Sequence, residues 1–155
     1  MKRTTRLMAA VLVTVLLCAL LAGCQTYRSY TYNCNTGEKV KLQLNTTNDL
    51  QIEAGPPFVI SRKGEVLAQG DFLTEGGYRQ YVDAIHSAGD SVTIYEETSN
   101  EALTWLFYHT EGSSGQEYNY IIQINGAKAG VVVGSQISRE TAEEVFEALT
   151  FSIEK

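Results

Sequence analysis

His86 and His109 are the only histidines of the chain. A metal centre would need at least one further close ligand beside them, and Asp83, Asp90 and Glu111 supply no recognised ligand spacing. No metal site is therefore expected. No HExxH, paired CxxC, EF-hand loop, phosphate-binding loop or dinucleotide fingerprint occurs. Gly112-Ser113-Ser114-Gly115 lacks the spacing of a nucleophile elbow, and its flanks predict a hairpin loop. Two acidic groups remain. Glu140, Glu143, Glu144 and Glu147 lie opposite the Ala142/Val145/Phe146/Leu149 face of a helix, as a solvated face would, and Glu140 and Glu143 also suit the helix N-terminus. Glu96, Glu97 and Glu101 surround a Thr98-Ser99-Asn100 turn. A glycosidase pair would need one of those carboxyl groups in an apolar pocket and a second at fixed distance. Nine tyrosines and one tryptophan could line a groove for a peptide, glycan or lipid. The simpler reading makes Trp105 and Phe107 core and leaves the tyrosines half-buried on strands.

The third kind of reactive group is the thiol. Lys2, Arg3 and Arg6 precede a 16-residue apolar run from Leu7 to Ala22, broken only by Thr14, and no acidic residue occurs before Glu38. A basic segment followed by an apolar one is the pattern of a secretory signal. A spanning helix wants about 20 apolar residues, and this run stops at Gly23-Cys24. Leu21-Ala22-Gly23-Cys24 resembles the lipobox of bacterial lipoproteins. The resemblance implies that the Cys24 thiol receives a diacylglyceryl group and that a peptidase cuts just before it. Residues 1–23 are then a signal peptide, 24–28 the lipidated cysteine and a short tether, and 29–155 one domain. No cofactor is expected beyond that covalent lipid. The body would sit at the cell membrane, facing away from the cytoplasm. Cys18 leaves with the signal, so Cys34 has no intramolecular partner. It reads as a small apolar strand residue, or else as one half of an intermolecular disulfide.

Charge agrees with this address. The whole chain carries 18 acidic and 12 basic side chains, a net −6; without Lys2, Arg3 and Arg6 the balance is 18 against 9, or −9. Such a body offers no basic face to nucleic acid and is not drawn to anionic lipid by its own surface.

The elements that must position these groups follow from periodicity. Tyr30 and Tyr32, a turn at Asn35-Thr36-Gly37, then Val40, Leu42 and Leu44 predict a hairpin, though Tyr27, Tyr30 and Tyr32 also suit the headgroup level of a membrane. Phe58–Ile60 and Glu65–Ala68 flank Arg62-Lys63-Gly64 as a second hairpin. Tyr78, Tyr81, Val82 and Ile85 fall on one face of a helix bounded by Gly76-Gly77 and Gly89. From Ser91 a four-stranded meander is expected, with a central strand about Ala102–His109 and a tight turn at Asn125-Gly126. Ser138 is the N-cap of a second helix, and Phe151 and Ile153 suggest a closing strand. The fold class is α+β: an antiparallel sheet of about six to eight strands covered by two amphipathic helices.

This pattern resembles the PsbP-like superfamily of small extracytoplasmic domains. The Gly70-to-Ala88 segment, the Trp105 strand, Tyr118–Ile124 and the ending Thr141–Phe151 carry the resemblance. It implies a non-catalytic accessory or binding role with an envelope protein or a small ligand as partner. An anchored envelope hydrolase would instead place Glu97 or His109 in a concave pocket. A structural subunit of a larger envelope complex would expose a contiguous apolar patch.

Overall fold

The computed structural model describes residues 26–112 and 115–154. The signal segment, the lipobox with Cys24, and Ser113-Ser114 of the glycine-flanked loop lie outside those residues. Among the described residues ten strands and two α-helices form three layers, and the α+β class expected from the sequence is the observed one. β1 (Tyr27–Asn33), β2 (Lys39–Asn45) and β10 (Leu149–Glu154) form a small antiparallel sheet in the order β1-β2-β10. β3 (Leu50–Glu53), β4 (Phe58–Arg62), β5 (Glu65–Thr74), β6 (Val92–Ser99), β7 (Leu103–Gly112), β8 (Gly115–Ile124) and β9 (Ala129–Ser135) form a seven-stranded one, in the order β3-β4-β5-β9-β8-β7-β6.

The strands arise where alternation meets turn chemistry. In β2 the side chains of Val40, Leu42 and Leu44 are buried while Lys39, Lys41 and Gln43 are not, as a one-sided sheet requires. The β4–β5 turn places Lys63 at φ 50° and Gly64 at φ 86°, the paired positive φ that matches the strand twist. β3 was not expected from the sequence. It is only four residues long, and Leu50 and Ile52 give too few alternations to stand out from the Asn48-Asp49 turn before them.

The two helices cover opposite faces of the large sheet. α1 (Glu75–Ser87) follows β5, with Thr74 as N-cap accepting from the Gly77 N–H at 3.0 Å. Ile85, Tyr78 and Val82 pack on Leu106, Tyr108 and Ile121, whereas Tyr81, assigned to the same face by spacing, is exposed. The Gly70-to-Ala88 segment is thus part strand and part helix, because Gly70 to Thr74 pair with β9. α2 (Arg139–Ala148) starts at Ser138, whose hydroxyl accepts from the Thr141 N–H at 3.2 Å. It lies on the other face with the small sheet, where Val145 and Ala142 join Val40, Leu42, Phe58, Phe107, Ile122 and Phe151 in the main core. Apolar burial on that scale is the main driving force for the fold.

Two boundaries differ from the sequence reading. The β1–β2 ladder reaches back beyond 29: Tyr27 pairs with Asn45, and the Thr26 carbonyl accepts from the Thr46 N–H at 2.8 Å. Cys34 sits in the turn after β1, half-buried against the core, with its thiol pKa pushed up mainly by burial. No described helix is long and apolar enough to cross a membrane.

Candidate functional site

The residues first suspected of chemistry do not come together. His86 Nε2 lies 3.4 Å from Glu97 Oε2, both exposed, tying α1 to β6. His109 is stacked on Tyr118 at 4.7 Å and on Tyr95 at 6.3 Å between ring centroids. Glu96 and Glu101 are exposed on and after β6. On α2, Glu144 pairs with Arg62 of β4, and Glu143 Oε1 accepts from Arg139 Nε at 2.8 Å. Glu144 thus ties the helix to β4 and is not simply part of a solvated face, while Glu143 pairs within the helix. Among the described residues no group of three His, Cys, Asp or Glu side chains converges as a metal site would.

The aromatic residues are mostly interior. Phe107, Tyr120 and Phe146 form a stack with centroids 4.2 and 4.0 Å apart, and Trp105 packs on Phe146 at 5.4 Å. Burial pushes the Tyr120 hydroxyl pKa up, with nearby Glu143 adding to the shift. Tyr108, on the opposite face, is pushed up to about 12, again chiefly by burial. The reading of Trp105 and Phe107 as core agrees with this packing, and the tyrosines range from buried (Tyr108, Tyr120) through half-buried (Tyr30, Tyr32, Tyr78, Tyr118) to exposed (Tyr27, Tyr81, Tyr95).

A concave site does exist, made of other residues. A trough of about 540 Å³ opens on the α1 face of the large sheet, where that helix leaves β5, β9 and β8 uncovered. Register builds its floor. Gln69 of β5 pairs with Gly134 of β9, and Gly134 pairs with Asn119 of β8, so these three form one row across the strands. Asp71 and Glu117 stand at opposite corners. Val66 and Ile137, 49% and 47% exposed, form the rim.

Asn119 is the unusual member. Its residue is only 9% exposed, yet its carboxamide makes no hydrogen bond to any described residue, and it lines the trough. Its amide atoms are not sealed from solvent, so they are left to water or a ligand in the trough. Gly134 is what lets it lie there: a Cβ at that position would overlap Asn119 Oδ1 and come 3.4 Å from its Cγ. A glycine inside a strand marks such a close approach. Glu117 Oε1 accepts from Gln136 Nε2 at 2.8 Å, and Asp71 Oδ1 accepts from the Phe72 N–H at 2.7 Å. Neither carboxylate has a cationic partner among the described residues, and no Lys, Arg or His lines the trough. The arrangement offers hydrogen-bond acceptors, a carboxamide and aliphatic walls.

Sequence reasoning missed all of these residues. The available signals were Asn119 interrupting the apolar run Tyr118–Ile124 and Gly134 within the strand Ala129–Ser135, each ambiguous without the register that brings them together. The chain matches no protein-family model, and no curated protein matches it.

Proposed function

We propose that this protein is a membrane-anchored extracytoplasmic lipoprotein, held by lipid on Cys24, which binds a ligand in the β5–β9–β8 trough without catalysing its conversion. The observation that carries the binding reading is the Asn119 carboxamide, which belongs to a residue only 9% exposed and opens onto a concave site without a hydrogen-bond partner among the described residues. The anchor rests on the likeness of Leu21-Ala22-Gly23-Cys24 to a lipobox, and an accessory role accords with the PsbP-like resemblance. The hydrolase alternative needs Glu97 or His109 in a pocket; Glu97 is exposed on β6, whereas His109, beside Tyr95 and Tyr118, keeps its Nε2 buried and unpaired among the described residues but does not line the trough. For the structural-subunit alternative, the exposed large apolar side chains are spread over separate elements: Tyr27 on β1, Val66 and Ile137 at the trough rim, Tyr81 on α1, and Ile94 and Tyr95 on β6, with Tyr95 under the Arg139 guanidinium.

Both halves are tested in cells on the full chain. Alkyne-tagged palmitate should label the wild-type protein and leave Cys24→Ser unlabelled; equal labelling of the two would remove the anchor. A photo-crosslinking residue at Gln69 or Gln136 should capture an adduct that the same residue at Asp83, on the exposed side of α1, does not. Identical adduct patterns at all three positions would remove the trough as a binding site.

A further inference from the structure

The trough's lining specifies the charge of its ligand, an inference that rests on the binding reading above. Its only ionisable side chains are the carboxylates of Asp71 and Glu117. An anion entering it would meet two like charges and no counter-charge, and a neutral ligand would leave both carboxylates uncompensated as it displaced their water. Register fixes their separation. Asp71 pairs with Val132, Val132 with Ile121, and Glu117 lies four residues along β8 from Ile121. Two strand spacings and four residues of strand rise put the two Cα atoms roughly 16 Å apart, and the carboxyl groups reach inward from there. The diagonal between them passes over Gly134 and the unpartnered Asn119 carboxamide. Val132 and Gly134 lie under that line, and Val66 and Ile137 form the rim beyond its Glu117 end.

We infer that the trough binds an aliphatic polyammonium ion of about triamine length. The terminal ammonium groups would meet Asp71 and Glu117, a central one would donate to the Asn119 carboxamide oxygen, and the methylene stems would cross β9 over Val132 and Gly134. An ammonium is a donor only, with three hydrogens and no acceptor. It therefore complements the two carboxylates and the Asn119 amide oxygen, the acceptors of a lining that also carries the amides of Gln69 and Gln136 and the Ser135 hydroxyl. Recognition here needs no aromatic cage, and the trough has no aromatic residue in its lining.

The test is calorimetric titration of the full chain in detergent with three probes of matched length: spermidine, the neutral octanediol and the dianion suberate. Spermidine should bind, with octanediol and suberate at least tenfold weaker. The Asp71→Asn/Glu117→Gln double variant should lose at least tenfold in spermidine affinity. Asp83→Asn, which removes one charge from the exposed side of α1, should leave that affinity within twofold of wild type. Asn119→Ala should weaken spermidine without creating affinity for octanediol. Equal loss in Asp83→Asn and in the double variant would mean general attraction to an acidic protein and would overturn the inference. So would octanediol binding as tightly as spermidine, or spermidine failing to bind. If trough-specific photo-adducts form in cells while spermidine is silent, the polyammonium class alone is wrong. If neither occurs, the trough itself is not a binding site.

Discussion

Gly70 supports the trough from beneath, and replacing it should show how tightly β5 is held. Its neighbours Gln69 and Asp71 face the trough, while the missing side chain of Gly70 would point to the core. There Phe58, directly opposite on β4 and fully buried, lays its ring over the glycine. A Cβ at 70 would overlap Phe58 Cζ and come within 2.6 and 2.8 Å of Cε2 and Cε1. The ring has little space to retreat, because Phe72 and Tyr32 stand 5.7 and 6.2 Å away between centroids. Overpacking a filled core costs about 1–3 kcal/mol, and three ring atoms in conflict place this case near the upper end. Restricting the unfolded chain returns roughly 0.4–1 kcal/mol. Gly70→Ala should therefore destabilise by about 2 kcal/mol, or roughly 6–10 °C in midpoint for a domain of this size. Phe58→Leu removes the three atoms involved and should cost roughly 1 kcal/mol by itself. The double variant should be about as stable as Phe58→Leu alone, a coupling of about 2 kcal/mol. Urea unfolding followed by fluorescence of Trp105, the only tryptophan, measures all four corners of the cycle. A double variant destabilised by the sum of the two single changes would refute the ring-over-glycine account.

Two other consequences can be measured on the same material. Ser138→Ala removes the acceptor of the Thr141 N–H at the start of α2 and should cost about 1 kcal/mol, with Ser138→Asp recovering most of it in urea unfolding. Burial raises the pKa of Tyr108 to about 12 and moves those of Tyr120, Tyr78 and Tyr32 the same way. The stability these hydroxyls contribute is thus fully present below their ordinary value near 10 and is lost as pH climbs from about 10 through 12. Tyrosinate absorbance should show these groups ionising together with unfolding, and full ionisation in a still-folded chain at pH 11 would contradict their burial.

Much of the fold was legible because its signals are local. Alternation at Val40, Leu42 and Leu44, the Asn125-Gly126 turn and the Ser138 cap each act within a few residues, and each appears where expected. Tyr81 shows the limit of that reading. Helical spacing puts it beside Tyr78 and Val82, but it stays 46% exposed and outside the cluster that those two join on the sheet. The acidic residues of α2 show another, since Arg62 lies 82 positions away in sequence from the Glu144 it pairs with.

The candidate site was illegible for the same reason. Gln69, Gly134 and Asn119 come from three strands, and none is unusual within its own segment. Only the pairing of β5 with β9 and of β9 with β8 makes them one row. The sequence by itself determined most of the strands and both helices, though not β3, because backbone hydrogen bonding and side-chain periodicity of 2 or 3.6 are properties of short segments. It also carried the signal-like start and the lipobox-like cysteine. The tertiary structure alone decided that β10 joins β2 in a second sheet, that the helices take opposite faces, and that one stretch of β5, β9 and β8 stays uncovered. Partner choice between distant strands is set by which apolar faces can be buried together, and that is a property of the whole chain.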